Sequence, residues 1–109
     1  MKKDPVEIFQ TIRAVLQPYA TLGFSNRINS DLEYDLWSDK NITTNGQQRT
    51  ETFFAAVKII NETVVFYWHN IEVGPSKQNE ISELGESTLD QIEDQLSITY
   101  KTFIEKEWI

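Results

Sequence analysis

Cysteine is absent from this 109-residue chain, which excludes disulfides, thiolate metal sites and a cysteine nucleophile. Histidine occurs once, at His69, so a cage of imidazoles around a metal is excluded as well. The four glycines, Gly23, Gly46, Gly74 and Gly85, stand apart from one another, and no glycine-rich phosphate loop can be built from them. No serine sits in a G-x-S-x-G turn. Positive charge is scarce: 10 Lys and Arg stand against 17 Asp and Glu, for a formal net charge of −7. Binding to duplex nucleic acid depends on Lys and Arg neutralising phosphates, so nucleic acid is not an expected partner, and neither is an anionic membrane. There is no apolar run of about 18 residues and no charged-then-apolar amino terminus, hence no expected membrane span or signal peptide. The expected location is the cytoplasm.

What is present reads as one soluble α+β domain over residues 1–109. Hydrophobic and charged fractions of 39% and 25% are those of a globular chain with a core. Asn45-Gly46 is the residue pair best suited to the positive φ angles of a two-residue hairpin turn. Centring a turn there pairs Leu36 with Ala55, Tyr34 with Val57 and Leu32 with Ile59. A second turn at Asn61-Glu62 pairs Ile59 with Val64, Val57 with Phe66 and Ala55 with Trp68. The two registers agree, and side chains alternate faces along a strand. Residues Asp31 to Asn70 are therefore expected to form a three-strand antiparallel meander. Its core face would carry Leu32, Tyr34, Leu36, Phe53, Ala55, Val57, Ile59, Val64, Phe66 and Trp68. Its other face would pair Glu33 with Lys58, then hold Asp35, Ala56 and Tyr67, then Trp37, Phe54 and His69.

Two helices flank this sheet. The first opens on Asp4 as N-cap with Pro5 at the first helical position, and Val6, Phe9, Ile12, Val15, Leu16 and Tyr19 recur at helical spacing. Pro18 is expected to end it near Leu16. The last helix is expected to start at Ser87 or Thr88, with Leu89, Ile92, Leu96, Tyr100, Phe103 and Ile104 as its stripe. Between helix and sheet, Phe24 and Ile28 can tuck into the core edge. Gly74-Pro75-Ser76 reads as a turn, with a short fourth strand near Glu80 to Leu84. The assembly these elements predict is a two-layer sandwich: an antiparallel sheet of three to four or more strands, with N- and C-terminal helices on one face.

The run Phe9 to Ala20, the segment Tyr34-Asp35-Leu36-Trp37-Ser38, and Phe53 to Ile59 followed by Val64 to Tyr67 resemble the YdhG-like family, whose members are largely of unknown function. The resemblance spans roughly residues 9 to 67 and the terminal helix, and it implies the same α+β layout. Its Met-Pro turn is replaced here by Trp68-His69-Asn70. Some members are linked to iron delivery through a frataxin-like layout, which implies a search for clustered oxygen ligands. Glu86, Asp90, Glu93 and Asp94 share one polar helical face, and Asp31, Glu33, Asp35 and Asp39 run along the first strand. The competing explanation is a solvated face whose acids complement the helix dipole.

Trp37, Phe54, Tyr67 and His69 around Asp35 form the second candidate site. Such a surface could be covered by residues 71–86, could pack on a second copy or another protein, or could hold a small ligand with His69 and Asp35 as polar anchors. No catalytic constellation is recognisable, so a protein-interaction or self-associating binding module is expected rather than an enzyme. An iron chaperone and a ligand-binding module are the alternatives.

Overall fold

The computed structural model describes residues 4–44, 46–49, 51–70, 74–81 and 85–109. Helix α1 (Pro5–Ala20) is followed by β1 (Glu33–Ser38), β2 (Ile42–Thr44), β3 (Gln47–Arg49), β4 (Thr52–Ile60), β5 (Thr63–Asn70), β6 (Gly74–Ile81) and helix α2 (Glu86–Glu105). Strands β1, β4, β5 and β6 form one antiparallel sheet in that spatial order, and both helices pack on one side of it. The expected α+β layout, with a helix from each end of the chain on the sheet, is what forms. Among the described residues no helix is long and apolar enough to cross a membrane.

The middle of the chain differs from the expected meander in one respect. The tip around Gly46 does not extend β1 and β4. It forms a separate two-stranded ribbon in which Thr44 pairs with Gln47, and Gly46 takes a φ of +77°. Asn45, the other turn residue, lies outside the described residues. The Asn61-Glu62 turn forms as expected, both residues having positive φ (50° and 64°), the requirement of a type I′ hairpin. Its register is the expected one, with Ala55 opposite Trp68 and Ile59 opposite Val64.

Between β1 and β4 the expected pairs Tyr34–Val57 and Leu36–Ala55 form, and then the register shifts so that Trp37 pairs with Phe53 rather than Phe54. One extra residue on β4 is a β-bulge, and it leaves two consecutive side chains, Phe54 and Ala55, buried on the helix side. Phe54 is completely buried, stacked on Phe24 at 4.0 Å and edge-on to Phe103 at 5.4 Å. Phe53 turns outward against Trp37, ring centroids 5.3 Å apart. The assignments of Phe53 to the core and Phe54 to the outer face are thereby exchanged. Leu32, expected in the core, precedes β1 and is exposed, whereas Tyr34, Leu36, Val57, Val64, Phe66 and Trp68 are buried as expected.

Asp4 caps α1 as expected, its carboxylate accepting from the Val6 N–H at 2.8 Å. Pro18 does not end the helix; it sits inside the last turn, which runs to Ala20. A proline removes the bond to the carbonyl four residues back, here that of Ala14, which is exposed and can meet water. Tyr19 meanwhile packs on Phe54 at 5.5 Å and Tyr100 at 5.8 Å, and so holds that turn against the core. Helix α2 starts earlier than Ser87 or Thr88, with Gly85 as an N-cap that makes no side-chain bond. Ile92, Leu96, Thr99 and Phe103 form its buried stripe, while Ile104 is exposed.

The end of α2 is a Schellman motif. Glu107 has a φ of +59°, its N–H donates to the Ile104 carbonyl at 3.1 Å, and the Trp108 N–H donates to the Phe103 carbonyl at 2.8 Å. Phe103 and Trp108 then meet edge to face at 5.3 Å, the apolar contact that accompanies this cap. A left-handed conformation at a glutamate is unfavourable by itself, and the burial of Trp108 offsets it. The Ser38 hydroxyl donates to the Trp108 carbonyl, tying the helix end to β1.

Gly74-Pro75 opens β6 instead of forming a free turn, and the strand runs through Glu80 to Ile81; residues 82–84 of the expected strand lie outside the described residues. The bulge gives the two adjacent phenylalanines opposite fates. Phe54→Ala should lower unfolding free energy by about 3–5 kcal/mol, the range for emptying a buried aromatic site. Phe53→Ala, on the outer face, should cost roughly 1 kcal/mol in the same urea titration. Equal losses would mean that the strands pair without the bulge.

Candidate functional site

The outer sheet face is built from alternate residues of β1, β4 and β5. Cross-strand rows place Glu33 with Lys58 and Val65, then Asp35 with Ala56 and Tyr67, then Trp37 with Phe53. Trp37, Phe53 and Tyr67 are each half-buried, and together with Glu33, Ala56 and Lys58 they line a depression of about 310 Å³. Ala56 forms its apolar floor, and like the neighbouring Val65 it is buried without belonging to the helix-side core. Of the candidate cover, residues 71–86, the stretch 74–81 lies in the sheet as the β6 edge and Glu86 opens α2, while 71–73 and 82–84 lie outside the described residues.

Two of the five residues expected here lie elsewhere. Phe54 is in the core, for the reason given by the bulge. His69 turns to the helix side, its ring 5.4 Å from both Phe103 and Trp108. The ladder between β5 and β6 is irregular between Trp68 and Asn70, so strict alternation of faces ends at His69. His69 and Trp37 are thus on opposite sides of the sheet, and His69 cannot be a polar anchor of this surface.

Asp35 remains beside Trp37 but is committed to the fold. It is 4% exposed, and its carboxylate accepts from the Arg27 N–H at 2.9 Å, the Ile28 N–H at 2.8 Å and the Trp37 indole Nε1–H at 2.9 Å. Three such bonds satisfy a buried carboxylate and leave little capacity for a ligand. Their structural effect is to fasten the 25–29 loop along β1, where Ser25 and Trp37 also exchange backbone bonds at 2.7 and 2.9 Å. The loop tucks Phe24 into the core as expected, but Ile28 stays exposed.

That fastening brings in a residue with no sequence signal of a site. Arg27 lies over the Trp37 ring at 4.7 Å and is itself gripped by Asp39, at 2.5 Å, and by Glu51. Its hydrogen bonds to these two carboxylates raise its already high pKa further. Lys58 plays a similar part over Tyr67, 5.2 Å from the ring and 3.5 Å from Glu33. Each outer aromatic ring bearing a polar edge therefore carries a cation held in place by acids. Arg27 acts from a loop and Phe53 through a bulge, and neither effect leaves a periodic trace in the sequence.

Of the acidic candidates for a metal, Glu33 and Asp35 line this surface and Asp39 flanks it, whereas the other set belongs to α2. Asp90, Glu93 and Asp94 are exposed on α2, and the Glu86 side chain lies outside the described residues. Among the described residues no three His, Asp or Glu side chains are grouped closely enough to hold a metal ion. Comparison with protein-family models, curated proteins and solved structures gave no match.

The clamp on Trp37 is sensitive to acid. The Ser25 hydroxyl, and then the Arg27 guanidinium, hold the Asp39 carboxyl below the usual aspartate value. A depressed folded-state value means that the stabilisation is present above the unfolded aspartate range and is lost as pH falls through the folded value. Asp39 should accordingly titrate below an ordinary aspartate by carboxyl ¹³C NMR, and Ser25→Ala and Arg27→Gln should each raise the midpoint. An ordinary midpoint in the unaltered chain would contradict the clamp.

Proposed function

We propose that this chain is a small, non-catalytic binding module that takes a protein partner on the outer face of its sheet, with Trp37, Phe53 and Tyr67 as anchors. The observation that carries this is the 310 Å³ depression itself: half-buried aromatic side chains around an apolar floor, on the face away from both helices. Aromatic residues in such settings dominate association free energies. The Trp37 and Tyr67 rings are already positioned by Arg27 and Lys58, and Phe53 packs on Trp37, so little side-chain freedom is lost on contact.

Charge favours a basic partner over a second copy. Glu33, Asp39 and Glu51 flank the aromatic rings, and a chain of net charge −7 repels its own copies while attracting cationic segments. Partner arginines can stack on the rings and share these carboxylates. In an NMR titration with a tetra-arginine peptide, signals of Trp37, Phe53 and Tyr67 should move together. Phe53→Ala combined with Tyr67→Ala should stay folded and weaken binding about tenfold or more. Shifts centred on Asp90, Glu93 and Asp94 would instead mean nonspecific attraction to acid and would contradict the site. A free protein of dimer mass that becomes monomeric in the double variant would assign the face to a second copy.

A further inference from the structure

The depression on the outer face has its cause in the strand register. Ala56 stands between Asp35 on β1 and Tyr67 on β5, and the rows to either side of it carry Trp37 with Phe53 and Glu33 with Lys58. One alanine ringed by long side chains leaves a bowl with Ala56 at its bottom. Cations already seated on two of the rings show what they attract: the Arg27 guanidinium lies 4.7 Å from the centroid of Trp37, and the Lys58 ammonium 5.2 Å from that of Tyr67. Phe53, edge to face with Trp37, carries no cation among the described residues.

The bowl attracts positive charge, yet it has little to offer an N–H donor. The Asp35 carboxylate is filled by its bonds from Arg27, Ile28 and Trp37, and Glu33 is paired with Lys58 at 3.5 Å. A primary ammonium or a guanidinium brought onto Ala56 would lose hydrogen bonds to water that these committed acids do not replace. A quaternary ammonium has no N–H to satisfy, and it gains from ring faces and nearby acids without any directed bond. Partner arginines keep to the rim, where Asp39 and Glu51 stand. A choline headgroup carries the same quaternary nitrogen but brings a phosphate, which the net charge of −7 disfavours. We infer, resting on the reading that the outer face receives a basic protein partner, that the bowl takes a trimethylated lysine side chain of that partner, its methyl groups lying on Ala56 beside Phe53 and Tyr67. Lys58, seated over Tyr67, is the resident competitor for this place.

NMR titrations of the full chain test this with end-blocked Gly-Lys-Gly peptides whose lysine is unmodified, trimethylated, or replaced by the uncharged carbon analogue of trimethyllysine. The trimethylated peptide should shift the Ala56 and Phe53 signals, and ring currents should move its own N-methyl proton line upfield. It should bind about three- to tenfold more tightly than either of the other two, the worth of a cation on aromatic faces. Phe53→Leu and Tyr67→Leu keep apolar volume and remove a ring, so each should erase most of that advantage. Lys58→Gln keeps a stem on Tyr67 and removes the competing charge, so it should tighten binding. Equal affinity for the three peptides overturns the inference, as does weaker binding by Lys58→Gln. Phosphatidylcholine vesicles that displace the trimethylated peptide would assign the bowl to a lipid headgroup and overturn it too. Tetra-arginine separates the two readings. If it moves Trp37, Phe53 and Tyr67 while trimethylation adds nothing, the outer face remains the partner's surface and only the trimethyllysine assignment falls; if neither peptide moves them, both fall.

Discussion

A single extra residue on β4, opposite Trp37, fixes what each side of this sheet is for. Without it, strict alternation would send Phe54 outward and Phe53 inward. With it, Phe54 enters the core, where Phe24, Tyr19 and Phe103 close around it. Phe53 is released to the outer face and meets Trp37. Helix α2, the Phe24 loop and the last turn of α1 all seat on Phe54, so the packing of three elements and the make-up of the outer surface share one cause.

The loop at residues 25–29 is the second dependency. A buried carboxylate is tolerated only when its lone pairs are filled, and Asp35 fills them with two loop N–H groups and the Trp37 indole. This fixes the Trp37 ring and delivers Arg27 onto it, so that the polar requirement of one aspartate orients an aromatic anchor and its cation. The loop also runs along β1, whose edge would otherwise offer open backbone groups to another chain.

Much of the architecture was legible because it depends on periodicity. The α1 cap at Asp4, the Asn61-Glu62 turn, the pairing of Val57 with Tyr34 and Phe66, and the α2 residues Ile92, Leu96 and Phe103 follow from spacing and turn chemistry alone. Illegible were the places where a local rule yields to packing. Pro18 is carried inside a helix because Tyr19 holds the turn, and Glu107 takes a glycine's conformation because Trp108 is buried by it. The candidate site was legible only in part: Trp37 and Tyr67 are where alternation puts them, Phe54 and His69 sit at or beside irregular pairings, and Asp35 serves the fold.

Everything assigned to the two faces rests on the bulge, and cross-strand nuclear Overhauser effects observe it without altering a residue. The account predicts ring contacts from Phe53 to Trp37, and from Phe54 to Phe24 and Phe103, in the unaltered chain. Contacts from Phe54 to Trp37, with Phe53 against Phe24, would show regular pairing and contradict it.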